Sequence, residues 1–213
     1  MTEQNFDSMR RAMVASQLRT TAVNDARVVA AMGAVPRELY VPAERASLAY
    51  VDTLVPLGGG RALNPPMVTG RLMTAAELRL GDRALVVGAA TGYAAAVLAR
   101  LVDKVGALEV DPALPTQAPA LANVEQVSGP LAAGWSHDAP YDVILIDGAI
   151  EAIPEALIGQ LAEGGRLVTG LIERGVTRLV IGRRAAGGFG TTTFADAESA
   201  PLPGFAAPPA FHF

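Results

Sequence analysis

The chain has 213 residues, a formal net charge of −4, 51% hydrophobic residues and no cysteine. That length predicts one main domain with a terminal extension. The charge and the scattered Lys and Arg argue against a nucleic-acid partner, and the missing thiols exclude a disulfide framework, a thiolate metal site and a cysteine nucleophile.

Residues 5–34 read as helices. Met9, Met13, Val14 and Leu18 fall at helical spacing; Thr20–Val23 break the pattern; Asn24 can cap a second helix whose Val28, Val29 and Met32 share a face, and Pro36 ends it. Residues 37–66 hold Pro42, Pro56, Gly58–Gly60 and Pro65–Pro66 and are expected to be mostly loop, with one short helix near Pro42–Leu48. Residues 67–79 are helical again, tolerating Gly70.

From 82 onward strands and helices alternate. Strands are expected at 83–88, 105–110, 124–128, 141–147 and 165–172, and helices at 92–102 and 153–162. Tyr141–Asp147 is almost continuously apolar, as a central parallel strand covered on both faces should be. Arg178–Arg183 and Thr191–Ala195, joined through Gly187–Gly188, read as a β-hairpin, with Arg183–Arg184 as a solvated strand end. The proline-rich end is expected to lie extended, with Phe205, Phe211 and Phe213 packed on the body. His137 is expected in a solvated loop, and neither it nor His212 is expected to bind metal. The first twenty residues lack an apolar signal core and no run suits a bilayer, so a cytoplasmic protein with no membrane partner is expected.

The segment with the most chemical content is Arg83–Arg100. An apolar strand breaks at Gly88, a tight turn closes at Gly92, and an Ala/Leu-rich helix begins at once. A glycine turn at a helix N-terminus lets a ligand approach the backbone. Glu109, 21 residues after Gly88 at the end of the next strand, can accept hydrogen bonds from ribose hydroxyls. The turn is Gly-x-x-x-Gly, not the Gly-x-Gly-x-x-Gly of dinucleotide enzymes. That points to S-adenosylmethionine rather than a nicotinamide cofactor, and a nicotinamide-dependent oxidoreductase ranks last.

Four further stretches, Met13–Arg19, Ala34–Pro42, Ala49–Gly58 and Ile153–Val168, together with this segment resemble protein-L-isoaspartate O-methyltransferases in order over roughly 10–172. The resemblance implies a Rossmann-like α/β methyltransferase fold: a seven-stranded, mostly parallel sheet ending in an antiparallel hairpin. It divides the chain into an N-terminal helical and substrate-loop extension (1–80) and a methyltransferase core with its tail (81–213), forming one compact unit. It implies methylation of isoaspartyl carboxylates in damaged peptides or proteins by S-adenosylmethionine. A homo-oligomer is compatible with it. A carboxylate is ionised at neutral pH and is itself the nucleophile, so a site poor in titratable groups suits the reaction.

The sequence departs from the family at informative places. The family's substrate loop Gly-Gln-Thr-Ile-Ser-Gln-Pro reads Gly60-Arg-Ala-Leu-Asn-Pro-Pro66 here. Asn64 can donate through its amide, and Arg61 can bind a carboxylate bidentately; the alternative for Arg61 is a solvated side chain. In the donor site Gly88, Thr91 and Gly92 remain, and Glu109 is in register for the ribose. Val86 replaces the acid before the turn, and Ala90 replaces its middle glycine, which matters if that position needs a positive φ. Ser128 stands near the missing adenine-contacting Asp. The family's helix after the ribose acid is replaced by residues 111–123 with Pro112, Pro115 and Pro119. Interior proline costs about 3 kcal/mol in a helix, so an irregular crossing is expected instead. These changes leave two alternatives open: a non-catalytic relative that binds or scaffolds, and a methyltransferase with another acceptor. In the latter, Asp147 serves as base or polar contact instead of capping the turn after its strand.

Overall fold

The computed structural model describes residues 5–110, 114 and 116–206; the expected packing of Phe211 and Phe213 and the position of His212 lie outside them. The elements are α1 (Phe6–Met13), α2 (Ala26–Ala34), β1 (Val55–Gly58), β2 (Arg61–Leu63), α3 (Pro66–Ala75), β3 (Arg83–Val87), α4 (Tyr93–Leu98), β4 (Lys104–Glu109), β5 (Val124–Ser128), β6 (Tyr141–Ile150), α5 (Glu155–Gly159), β7 (Leu161–Glu173), β8 (Val176–Ala185) and β9 (Gly188–Asp196). β3 to β9 form one sheet in the order β5-β4-β3-β6-β7-β8-β9. Pairing is parallel from β5 to β7, and β8 and β9 add antiparallel. From β3 the chain winds outward through β4 and β5, then returns to lay β6 on the other side of β3. The carboxyl ends of β3 and β6 therefore flank a topological switch point, where open α/β sheets bind ligands.

Both faces of the sheet are covered, and the strands show it by alternation. Ala84 and Val86 of β3 join the core with α2, α3 and α4, while Leu85 and Val87 join Tyr141, Ile144, Ile146, Leu157 and Leu167 on the opposite face. Val86 is fully buried, so the position where the family carries an acid is apolar core. At the other end of the sheet, buried Arg166 donates to the carbonyls of Ala76, Glu77 and Asp142 and pairs with Asp82. That clamp ties the end of α3 to the sheet.

Several local expectations are corrected. Asp25, not Asn24, caps α2 by accepting from Arg27 N at 2.8 Å. After α1 the helix widens into one π-helical turn over Val14–Leu18 before breaking. Residues 37–66 are more ordered than their Pro and Gly content suggests, with 3-10 turns at Arg37–Tyr40 and Ala43–Leu48 and the β1–β2 hairpin. The strands β6 and β7 outrun their expected ends, and α4 and α5 are shorter than expected. Arg183–Arg184 is not merely solvated. Arg184 Nη1 donates to the carbonyls of Leu161 (2.6 Å) and Gly159 (3.1 Å), and Arg183 pairs with Glu77. Among the described residues of 111–123 there is no helix. The link is held instead by Gln117 N donating to the Leu39 carbonyl at 3.0 Å, and it joins parallel strands as expected. His137 is exposed.

Candidate functional site

The crevice at the switch point has a floor and a cover. The floor is the turn after β3. Gly88 (φ +78°), Ala90 (φ +50°) and Gly92 (φ +93°) all adopt left-handed backbone. The middle position therefore does require a positive φ, and Ala90 carries the strain that glycine would relieve. The Thr91 hydroxyl donates to the Tyr40 carbonyl at 2.7 Å, and Thr91 lines the cavity beside the turn. Glu109, at the end of β4, is 2% exposed. Its Oε2 accepts from Ala90 N at 2.7 Å and its Oε1 from Val110 N at 2.8 Å. Ser128 stands opposite Glu109 on β5 and is exposed. A cavity of about 240 Å³ opens alongside the turn, lined by Ala90, Gly92, Thr116 and Gln126 among others. A separate cavity of about 770 Å³ lies apart, between α1 and α2.

The cover comes from two distant stretches. Arg61 on β2 reaches over the turn. Its Nη1 pairs with Glu109 Oε1 at 2.8 Å, and its Nη2 donates to the Gly88 carbonyl at 3.0 Å. At 7% exposure it is not the solvated side chain of the alternative reading. Three residues on, the Asn64 amide donates to Asp147 Oδ1 at 2.8 Å, and its Oδ1 accepts from Ser199 Oγ and Ala200 N, both at 2.8 Å. Asn64 is thus a strut between β6 and the tail. Asp147 caps no turn, because β6 continues through it to Ile150. Burial pushes its carboxyl above the usual carboxylate range, against the opposing pull of the Asn64 hydrogen bond and the Arg37 and Arg61 charges.

The tail completes the cover. Ala149 N donates to the Ala200 carbonyl at 2.7 Å, Leu202 N donates to the Ala149 carbonyl at 2.9 Å, and Pro201 bridges Ala149 in parallel. Proline fits because that position gives up no donor to the ladder. Leu202 packs over Gly88 and Gly148: a Cβ at Gly148 would stand 2.4 Å from Leu202 Cγ, and one at Gly88 would stand 3.0 Å from both Leu202 methyls. Phe205 is buried, as expected.

Beneath the cover lies Arg37, fully buried. Its Nε donates to the Ala49 carbonyl at 2.5 Å and its Nη2 to the Asn64 carbonyl, while its guanidinium sits 4.5 Å over the Tyr93 ring. Burial pulls its pKa down and pushes the Tyr93 phenol up. Sequence reading missed Arg37, although it sits in the Ala34–Pro42 stretch, and it expects an extended, packed tail without placing Ser199–Leu202 over the crevice. The signal available for Leu202 was a lone leucine among prolines, which does not say where a tail docks.

The family model described as protein-L-isoaspartate(D-aspartate) O-methyltransferase (PCMT) matches residues 8–194. The chain is 40% identical over 202 residues to a protein-L-isoaspartate O-methyltransferase of Methylorubrum populi, covering 92% of this chain and 95% of the relative. It is 42% identical over 199 residues to that of Methylorubrum extorquens, covering 91% and 87%. Among solved structures, a protein-L-isoaspartate O-methyltransferase superposes with a TM-score of 0.76 at 21% identity, covering 93% of this chain and 66% of that one. A chain from Plasmodium falciparum described as the same activity, in complex with S-adenosyl-L-homocysteine, superposes with a TM-score of 0.75 at 20% identity, covering 94% and 99%. At those identities the structures establish the fold.

Proposed function

Because the chain belongs to the protein-L-isoaspartate(D-aspartate) O-methyltransferase family, we propose that it methylates a carboxylate of the isoaspartyl type in peptides or proteins, with S-adenosylmethionine as donor. The observation that carries the reading is Glu109. It is an acid buried at the end of β4, beside a left-handed turn that opens a helix at the switch point of the sheet. An acid so placed is costly unless hydrogen-bond donors meet it. Arg61 Nη1, Val110 N and Ala90 N meet it here, and a ribose offers two hydroxyls more.

The residues present fit the donor in kind. Glu109 would hold the ribose, and the Gly88–Gly92 turn would admit the rest close to the backbone. They fit it once Arg61 and Leu202 withdraw, since both stand on the face of Gly88. Bound there, the donor supplies an electrophilic methyl group. The chain's own task is to orient and to exclude water. Arg61 presents a planar, two-pronged cation suited to a carboxylate, the Asn64 strut sets the position of the β2 backbone, and the tail closes the crevice from above. Asp147 is not needed as a base, because the nucleophile arrives ionised.

The test is methyl-ester formation on an isoaspartyl peptide, with the matching aspartyl peptide as control. Transfer to the isoaspartyl peptide alone, lost in Glu109→Ala, supports the reading. Transfer to neither peptide, together with no binding of S-adenosylhomocysteine at millimolar ligand, overturns it in favour of a non-catalytic relative. Transfer to another carboxylate keeps the donor chemistry and changes the acceptor.

A further inference from the structure

The Arg61–Glu109 pair joins a residue of the acceptor loop to the residue proposed to hold the donor. Three observations bear on what the pair does. First, Glu109 is already well supplied. Oε1 accepts from Arg61 and Val110 N, and Oε2 from Ala90 N. An ionised carboxylate offers about four acceptor sites, so two ribose hydroxyls cannot both be accepted unless one present donor leaves. The two backbone donors are fixed by the turn and by β4; Arg61 is the one on a side chain. Second, the guanidinium stands where a ligand would approach: a Cβ at Gly88 would meet Arg61 Nη2 at 3.1 Å. Third, the loop has room to let Arg61 move. Gly58, Gly59 and Gly60, which immediately precede it, all have positive φ, and nothing lies within 4 Å of a Cβ built on any of them.

A displaced Arg61 needs a new anion, because a guanidinium taken out of water without a partner is costly. Asp147 is the nearby acid inside the crevice, and Asn64 already holds one of its oxygens. Its surroundings are Arg37, Arg61 and Glu109, and burial favours its protonated form. The anions left are those the ligands bring, the donor's amino-acid carboxylate and the acceptor's own carboxylate, and the second is the one a residue of the acceptor loop is placed to meet.

We infer that Arg61 is a two-position residue: it pairs with Glu109 until the donor's ribose claims that carboxylate, and it then pairs with the acceptor carboxylate. This rests on the methyl-transfer reading above. It makes donor and acceptor binding ordered and mutually strengthening, since each ligand takes one half of the same ion pair. Linkage requires the strengthening to be reciprocal. Arg61 is then a specificity-determining residue for an anionic acceptor and at the same time a competitor of the donor.

The experiment is calorimetric titration of the full chain with S-adenosylhomocysteine, and of the chain with and without saturating S-adenosylhomocysteine with an isoaspartyl peptide. Wild type is expected to bind the peptide at least about fivefold more tightly when S-adenosylhomocysteine is present. Arg61→Gln is expected to bind S-adenosylhomocysteine about tenfold more tightly than wild type, because the competitor is gone. It is also expected to bind the peptide weakly and with no gain from S-adenosylhomocysteine. If Arg61→Gln does not fold, Arg61→Lys serves. Its single ammonium cannot hold both Glu109 and the Gly88 carbonyl in the same fork, so its affinity for S-adenosylhomocysteine should still exceed that of wild type.

Wild-type binding with variants that bind S-adenosylhomocysteine equally or more weakly overturns this inference alone; Arg61 is then a donor ligand or a fixed strut. No binding of S-adenosylhomocysteine by wild type or either variant overturns this inference and the methyl-transfer reading together.

Discussion

The floor and the cover of the crevice are built on different principles. The floor, Gly88–Gly92 with Glu109, is local. It comes from one strand–turn–helix–strand run and is held by backbone donors from the same run. The cover is assembled from residues 61, 64, 147 and 199–202 and is held by side-chain hydrogen bonds across sequence separations of 27 to 136 residues. A floor of this kind depends on one acid and on backbone groups close to it in the chain. A cover of this kind depends on each of its joints, and it is here that the chain departs most from its family's substrate loop.

The contrast breaks most sharply at Arg37. Arg37→Met leaves the Ala49 and Asn64 carbonyls buried without their donor. A loss of about 3–5 kcal/mol is expected, read as a lowered urea midpoint with unchanged slope. An unchanged midpoint would show that the cover does not rest on it. Next is Gly148→Ala, whose new methyl would stand 2.4 Å from Leu202 Cγ and 2.6 Å from the Ala200 carbonyl. It should cost about 1–3 kcal/mol, and it should make the chain near 199–202 a preferred site in limited proteolysis while the rest of the fold stays resistant.

Asp147→Asn sharpens the comparison through pH. Burial raises the folded-state pKa of Asp147 above 3.8. Between 3.8 and that raised value the folded chain holds more protons than the unfolded one, so this carboxyl makes stability fall as pH rises. The variant keeps an acceptor for the Asn64 amide and lacks the titration. Its stability relative to wild type should therefore improve from pH 4 to pH 7 in paired denaturation curves; a gap independent of pH would count against the assignment. The smallest effect belongs to the floor. Ala90→Gly relieves a left-handed alanine and should stabilise by about 0.5–1 kcal/mol, visible as a small rise in melting temperature.

The same division explains what could be read from the sequence. The sheet was legible because Ala84–Val87 and Tyr141–Asp147 are apolar on both faces and glycines punctuate the turns. The positive φ at Ala90 was posed as a condition, and the turn geometry meets it. The engagement of Arg61 with Glu109 was not legible. A short-range pattern shows that an arginine suits a carboxylate, but not which one the fold brings within 2.8 Å. Arg37 was hidden for a related reason. In a 3-10 turn among prolines nothing marks a cation as interior, and its burial is decided by carbonyls 12 and 27 residues away. The tail was expected to be extended and packed, and it is, through Phe205. Its docking groove exists because β6 carries Gly148 where Leu202 lies, a fit between positions far apart in the chain.

The parallel pairing of the tail with β6 has a temporal meaning. Ala149 waits for Ala200 and Leu202 to be made. At about 5–20 residues per second on the ribosome, the floor of the crevice precedes its last covering segment by several seconds. During synthesis the turn at Gly88 and Arg61, which stands on its face, are therefore made before Leu202 can complete the roof.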